Sequence, residues 1–300
     1  MRSNSQPISL STMQSASRLF VSARFQLCLA WMLALTTTAD APASAAILYP
    51  NGQPDPTFQS NAMRLWFKAD AGVTQLAGAV SAWADQSTYG YTATQGSVAN
   101  QPQYTANALG GKPVISFLGN DFFTIAGGPS GQQTMFIVYQ DTSTLSWATP
   151  VGTFYTTAGS YHAHSDDSQL WTAPYTDAAT KNGSSWRDGV LFNGLTTGRP
   201  DVFSLDVYQA TGPLSQTITT LGADDCCSAG RGIVGGIAEV IIYNAALTAD
   251  EINDIGAYLE DKYSLNTTYA FVVPEPSTLS LLGLGALGLA IKARRRRTAV

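Results

Sequence analysis

The 300-residue chain predicts an all-β fold, a two-sheet antiparallel sandwich with one short C-terminal helix. Three observations carry that prediction. The 27 Gly and 14 Pro, with abundant Ser and Thr, suit many short strands joined by tight turns. Short β-branched and aromatic runs recur between Gly, Pro and Asn: KPVISFLG from Lys112, TMFIVYQ from Thr134, VFSLDVYQ from Val202 and GGIAEVIIYN from Gly235. Turn dipeptides such as Asn182-Gly183, Asp188-Gly189 and Asn193-Gly194 suit antiparallel hairpins. No repeat of fixed period is visible, which argues against a propeller or solenoid.

In chain order, residues 1–46 read as a signal peptide. Arg2, Arg18 and Arg24 precede an apolar run from Leu27 to Leu35, and small residues at Ala43 and Ala45 complete an A-x-A site. Cleavage after Ala45 or Ala46 is expected, so the chain is expected to be exported. Cys28 leaves with the signal. The adjacent pair Cys226 and Cys227 is no disulfide framework, because neighbouring Cα atoms lie about 3.8 Å apart, below the usual range for a bridge.

The body spans residues 47–265. Its first strand, around MRLWFK, is apolar and is expected to place Trp66 in the core. In the last strand, alternation groups Ile237, Glu239, Ile241 and Tyr243 on one face, so Glu239 stands on a largely apolar surface. A buried carboxylate needs a partner, and Arg64 or Lys68 of the first strand are the candidates. Thr248 and Glu251 then fit a capping box, and Ile252, Ile255 and Leu259 form one apolar helical stripe expected to pack on the sandwich edge.

After a linker at 266–272, residues 273–300 combine three elements. Pro274 and Pro276 hold Glu275 in an extended, accessible chain. The 13 residues from Leu279 to Ile291 are apolar or Gly except Ser280. As a helix they would extend about 20 Å against a hydrocarbon core of about 30 Å. Gly283, Gly285 and Gly288 weaken that helix, and Arg294, Arg295, Arg296 and Arg297 would hold the tail on the cytoplasmic side. The segment is suited to a temporary membrane stay. In this order the elements resemble the PEP-CTERM sorting signal of Gram-negative bacteria that make exopolysaccharide. The resemblance implies processing by an exosortase, a membrane cysteine transpeptidase-like enzyme. It also implies transient insertion in the inner membrane, then delivery to the cell surface or extracellular matrix.

A second resemblance lies in the body. MRLWFKADAGV, VSAWADQSTYGYTATQ, KPVISFLGNDFF and the closing GGIAEVIIYNAALTADEINDIGAYLEDKYSL are similar to the LamG-like jelly roll of the concanavalin A-like superfamily. It covers about Ala62 to Leu265, with the middle, Asp141 to Gly230, matching only loosely. The family implies a two-sheet jelly roll that binds sugar or protein, often with calcium, and leaves the ligand unspecified.

Charge and side-chain chemistry narrow the function. Between Ala46 and Val273, eight Lys and Arg face nineteen Asp and Glu, a net −11. Such a surface repels phosphate backbones, which argues against nucleic-acid binding, and it attracts anionic polymers weakly unless divalent cations bridge them. Retaining glycoside hydrolysis needs two close carboxylates, yet the body has three Glu and lacks the E-x-D-x-x-E strand of laminarinase-like relatives. Nucleophilic hydrolysis lacks a base constellation around His162 and His164. Those two histidines with Asp166 or Asp167 make a weak zinc signal. Calcium suits the Asp- and Asn-rich loops better, with Asp166, Asp167, Asn120 and Asp121 as the leading ligands. Trp147, Trp171 and Trp186, in polar and turn-rich surroundings, are the candidate sugar platform, joined by Tyr155, Tyr161 and Tyr175. The expectation is a non-enzymatic surface or matrix protein that binds polysaccharide. The alternatives are an interaction module without glycan affinity and, more distantly, a glycoside hydrolase.

Overall fold

Strand-forming runs dominate the computed structural model, which describes residues 46–49, 51–144, 147–153, 169–224 and 231–270. Residues 1–45 of the expected signal peptide and the C-terminal sorting segment lie outside these residues. So do His162, His164, Asp166, Asp167, Tyr155, Tyr161, Cys226 and Cys227. The chain divides into two compact units, Met1–Ala46 and Ile47–Val300, and the second is described below.

Fourteen strands are found among the described residues: β1 (Met63–Lys68), β2 (Val73–Leu76), β3 (Ala79–Ala84), β4 (Thr92–Thr94), β5 (Gln103–Leu109), β6 (Lys112–Leu118) and β7 (Phe123–Ile125), then β8 (Thr134–Asp141), β9 (Val151–Thr153), β10 (Ser184–Arg187), β11 (Val190–Leu191), β12 (Ser204–Gln209), β13 (Ile218–Leu221) and β14 (Val234–Tyr243). Two single-turn helices, α1 (Phe58–Asn61) and α2 (Ala178–Lys181), precede the 15-residue α3 (Ala249–Tyr263). All pairings are antiparallel, as the hairpin-rich sequence predicts. The strands form one hydrogen-bonded path, β11-β10-β12-β8-β14-β6-β5-β3-β4-β7-β13-β9, with β1 on β14 and β2 on β3. Two fully separate sheets are therefore not seen, although β3 and β5 are joined by the single pair Ala79↔Gln103.

Strands distant along that path share one core. Met135, Ile137 and Tyr139 of β8 and Ile237, Val240 and Ile242 of β14 cluster with Trp83, Phe123, Val151 and Leu221 from β3, β7, β9 and β13. The path is rolled so that β8 and β14 near its middle and the β7-β13-β9 end bury the same apolar interior, while β11 at the other end is exposed. Trp83 is fully buried, its ring near Phe67 and Phe123 and its Nε1 donating to the Lys68 carbonyl at 2.9 Å.

A second apolar layer lies on the other face of β1, β8, β12 and β14, so TMFIVYQ reads as a nearly unbroken apolar run because both faces are covered. The cover is α3, which packs on the sheet face instead of the expected edge: Ile252, Ile255 and Leu259 sit with Trp66, Phe136, Leu205 and Ile241. Burying each of these aliphatic side chains contributes about 1.5–3 kcal/mol. The capping box is present, with the Glu251 N–H donating to Thr248 Oγ1 and the Thr248 N–H to Glu251 Oε2.

Strict alternation fails in β14. A register shift against β8 between Ile237 and Glu239 sends Ile237 to the first core with Val240 and Ile242, while Ala238 joins Ile241 and Tyr243 under α3. A bulge of this kind inserts a residue and reverses the face downstream. Of the turn signals, Asp188-Gly189 closes the β10–β11 hairpin with φ positive at both residues. Asn182 instead ends α2, and Gly194 lies against Trp171, where an added Cβ would fall 2.6 Å from the indole.

Candidate functional site

Glu239 is 1% exposed and has four donors around it. Trp66 Nε1 donates at 2.6 Å and the Tyr258 hydroxyl at 3.1 Å to Oε1; Tyr263 Oη at 2.8 Å and Lys262 Nζ at 2.7 Å reach Oε2. Its counter-ion is thus Lys262 of α3, which corrects the expectation of Arg64 or Lys68. Arg64 is turned away, its guanidinium 4.7 Å from the Tyr89 ring centre. Lys68 sits directly across the β1–β14 ladder from Glu239, but its ammonium lies over the Trp66 ring at 4.4 Å. The missed signal is helical spacing: Lys262 follows Ile255 and Leu259 on the buried side of α3, and a lysine there calls for a buried acid.

This network floors a polar cavity of about 410 Å³, within the usual range of roughly 300–1,000 Å³ for small-molecule sites. Four segments distant in sequence build it. The turn at Asn51–Gln53 makes one wall, held by the Tyr49 N–H donating to the Gln53 carbonyl at 2.8 Å. The end of β1 and the turn after it supply Lys68 and Asp70, and the C-terminal half of α3 with its cap supplies Tyr258, Asp261, Lys262 and Ser264. The β5–β6 hairpin brings Gly110 and Lys112. Gly110 has φ +54 and its Cα lies so near the Tyr263 backbone that a Cβ would fall 2.5 Å from the Tyr263 carbonyl, so the hairpin tip closes on the helix end only with glycine there.

The charges in the cavity are unequally satisfied. Lys262 bridges Glu239 and Asp70, the latter at 3.0 Å. Lys68 and Lys112 have no carboxylate within ion-pair distance among the described residues. Burial first, then the charge of Lys262, pulls the Lys68 ammonium below its ordinary pKa.

The predicted sugar platform is not assembled as expected. Trp171 is 4% exposed, packed edge-on to Tyr208 with ring centres 5.7 Å apart, because the flanking polar loop folds its indole inward over Gly194. The gap beside it, between Trp171, Tyr208 and Val151, holds about 10 Å³, room for a water at most. Trp186 is half-buried in β10 against the layer under α3. Trp147 and Tyr175 do meet, edge-to-face at 5.1 Å, with Arg231 over the Trp147 ring at 5.6 Å. Tyr161 lies outside the described residues.

The calcium candidates divide likewise. Asn120 is exposed, and its carbonyl accepts from Asn100 Nδ2 at 2.9 Å. Asp121 is buried and accepts the Leu118 N–H at 2.9 Å, and burial raises its carboxyl above the usual range. Asp166 and Asp167 are outside the described residues, among which no group of three or more His, Cys, Asp or Glu is placed to hold a metal. No helix among the described residues is long and apolar enough to cross a membrane.

No curated protein and no solved structure matches the chain. Residues 272–297 match the PEP-CTERM protein-sorting motif, covering Pro274, Glu275, Pro276 and Arg294 to Arg297. The motif begins three residues after Tyr269, whose buried ring is pressed on Gly256 of α3. It marks the chain as an exported surface protein sorted by an exosortase.

Proposed function

We propose that this is a non-enzymatic surface or matrix protein whose β domain, a jelly roll of LamG-like type, binds polysaccharide after exosortase processing. The observation that carries the reading is the sorting motif at 272–297, joined to an exported β domain with a polar cavity. In this reading the C-terminal helix lodges briefly in the inner membrane of a Gram-negative cell, and the body is then released to the surface. The rolled strand path with a shared core supports the jelly roll.

The fate of the three body glutamates supports a role without catalysis. Glu239 is neutralised by Lys262, Glu251 closes the capping box, and Glu260 accepts the Thr267 hydroxyl. Each carboxylate is engaged in holding the fold. The interaction-module reading draws on a different feature, the edge strand β11, whose Val190 and Leu191 are 61% and 65% exposed.

Titrating the protein with exopolysaccharide from an exosortase-bearing bacterium, with calcium and with chelator, tests the proposal. Saturable binding supports it, and loss of binding in chelator assigns calcium a part. Absence of binding in both conditions leaves the interaction module.

A further inference from the structure

The domain carries nineteen acidic residues against eight basic ones, so an unpaired cation is unexpected. Arg187, Arg199, Arg231 and Lys262 each pair with a carboxylate, Arg64 stacks on Tyr89, and Lys181 donates to the Ala173 carbonyl. The remaining two, Lys68 and Lys112, lack a carboxylate partner among the described residues, and both line the cavity at the end of α3. Burial and the charge of Lys262 disfavour the Lys68 ammonium there, and the carboxylates of Asp70 and Glu239, too far away to form an ion pair with it, offset them only in part.

We propose that this cavity binds the carboxylate of an acidic sugar unit, a uronic acid within a polysaccharide, through Lys68 and Lys112. The inference rests on the polysaccharide-binding reading and names its ligand class and its site. A carboxylate that reaches both ammonium groups supplies the ion-pair partner that neither has, and it forms charge-assisted hydrogen bonds stronger than neutral ones. The other groups select what surrounds that charge. Asp70 and Asp261 repel a second negative charge, which disfavours phosphate runs, while their oxygens accept hydrogen bonds from hydroxyls. Gln53 and Ser264 add donors and acceptors on the same walls. One negative charge amid several hydroxyls describes a uronic acid. The acidic remainder of the surface repels a polyanion, so recognition is confined to this cavity.

The test is calorimetric titration of the full-length chain in mild detergent, with chelator present, using the methyl glycoside of galacturonic acid, which carries a single carboxylate, and its methyl ester. The acid should bind, and the ester, which lacks the charge, should bind about tenfold or more weakly. Lys68→Gln and Lys112→Gln should each weaken the acid by a similar factor. Equal binding of acid and ester, or no binding of the acid, overturns the proposal, and neither result depends on a variant folding. Native exopolysaccharide is the final arm. Binding that is unchanged in both lysine variants overturns this site and leaves the polysaccharide-binding reading standing, whereas no binding even in the wild type with calcium removes both.

Discussion

Replacing Lys262 by Met isolates the electrostatic centre of the domain. The change preserves the length and apolar stem of the side chain and removes the charge 2.7 Å from Glu239 Oε2. Glu239 has a fully buried side chain, so water cannot replace the ammonium. Three neutral donors remain, at 2.6, 2.8 and 3.1 Å, but none carries charge. Leaving a buried carboxylate without its counter-ion costs about 3–5 kcal/mol. For a domain of this size, in which 1 kcal/mol shifts Tm by about 2–4 °C, the fall should be about 6–20 °C. The second contact of Lys262, to the partly exposed Asp70, adds under about 1 kcal/mol. Urea denaturation at pH 7, followed by Trp fluorescence, measures the loss. Pairing Lys262→Met with Glu239→Gln should recover part of it, because the amide no longer needs a counter-ion. A loss under about 1 kcal/mol for Lys262→Met, as for an exposed ion pair, or strict additivity in the double variant, would refute the reasoning.

Trp171→Ala should cost about 3–5 kcal/mol as a core truncation, and a stable variant with weakened sugar binding would instead restore Trp171 to a ligand platform. Thr248→Ala removes the cap of α3 and should cost about 1 kcal/mol in chemical denaturation; no change would mean that packing alone fixes the helix start. Lys68→Gln should raise Tm at pH 7, because the folded state disfavours the Lys68 charge. The wild type carries that penalty in full below the depressed pKa and sheds it as pH rises through it, so the gain should shrink in alkali. A lower Tm for Lys68→Gln would show that the Trp66 contact outweighs desolvation.

Local patterns made much of the fold legible. The runs at Lys112 and Val202 contain β6 and β12, those at Thr134 and Gly235 match β8 and β14 to within one residue, and the cap and stripe of α3 fall where Thr248, Ile252 and Leu259 place them. Glu239 was visible as a polar residue on an apolar face, but its partner was not, since Lys262 approaches from a helix that crosses the sheet. The bulge in β14 has no marker in an alternation count. Trp171 misled because its polar neighbours describe the loop, whereas its burial depends on Tyr208 and Gly194 elsewhere in the chain. The cavity was invisible for the same reason: residues near 52, 69, 111 and 261 meet only after folding. The C-terminal motif, by contrast, is read from contiguous sequence and needs no tertiary structure.

The most direct test of the account follows the protein in its own cell, comparing the wild type with a variant in which Pro274, Glu275 and Pro276 are all Ala. The wild type should appear in the polysaccharide matrix, shortened at the C-terminus and released when the polysaccharide is depolymerised, while the variant stays full-length in the membrane fraction. A wild-type protein that remains full-length in the membrane, or that is shed freely into the medium with the polysaccharide intact, would contradict it.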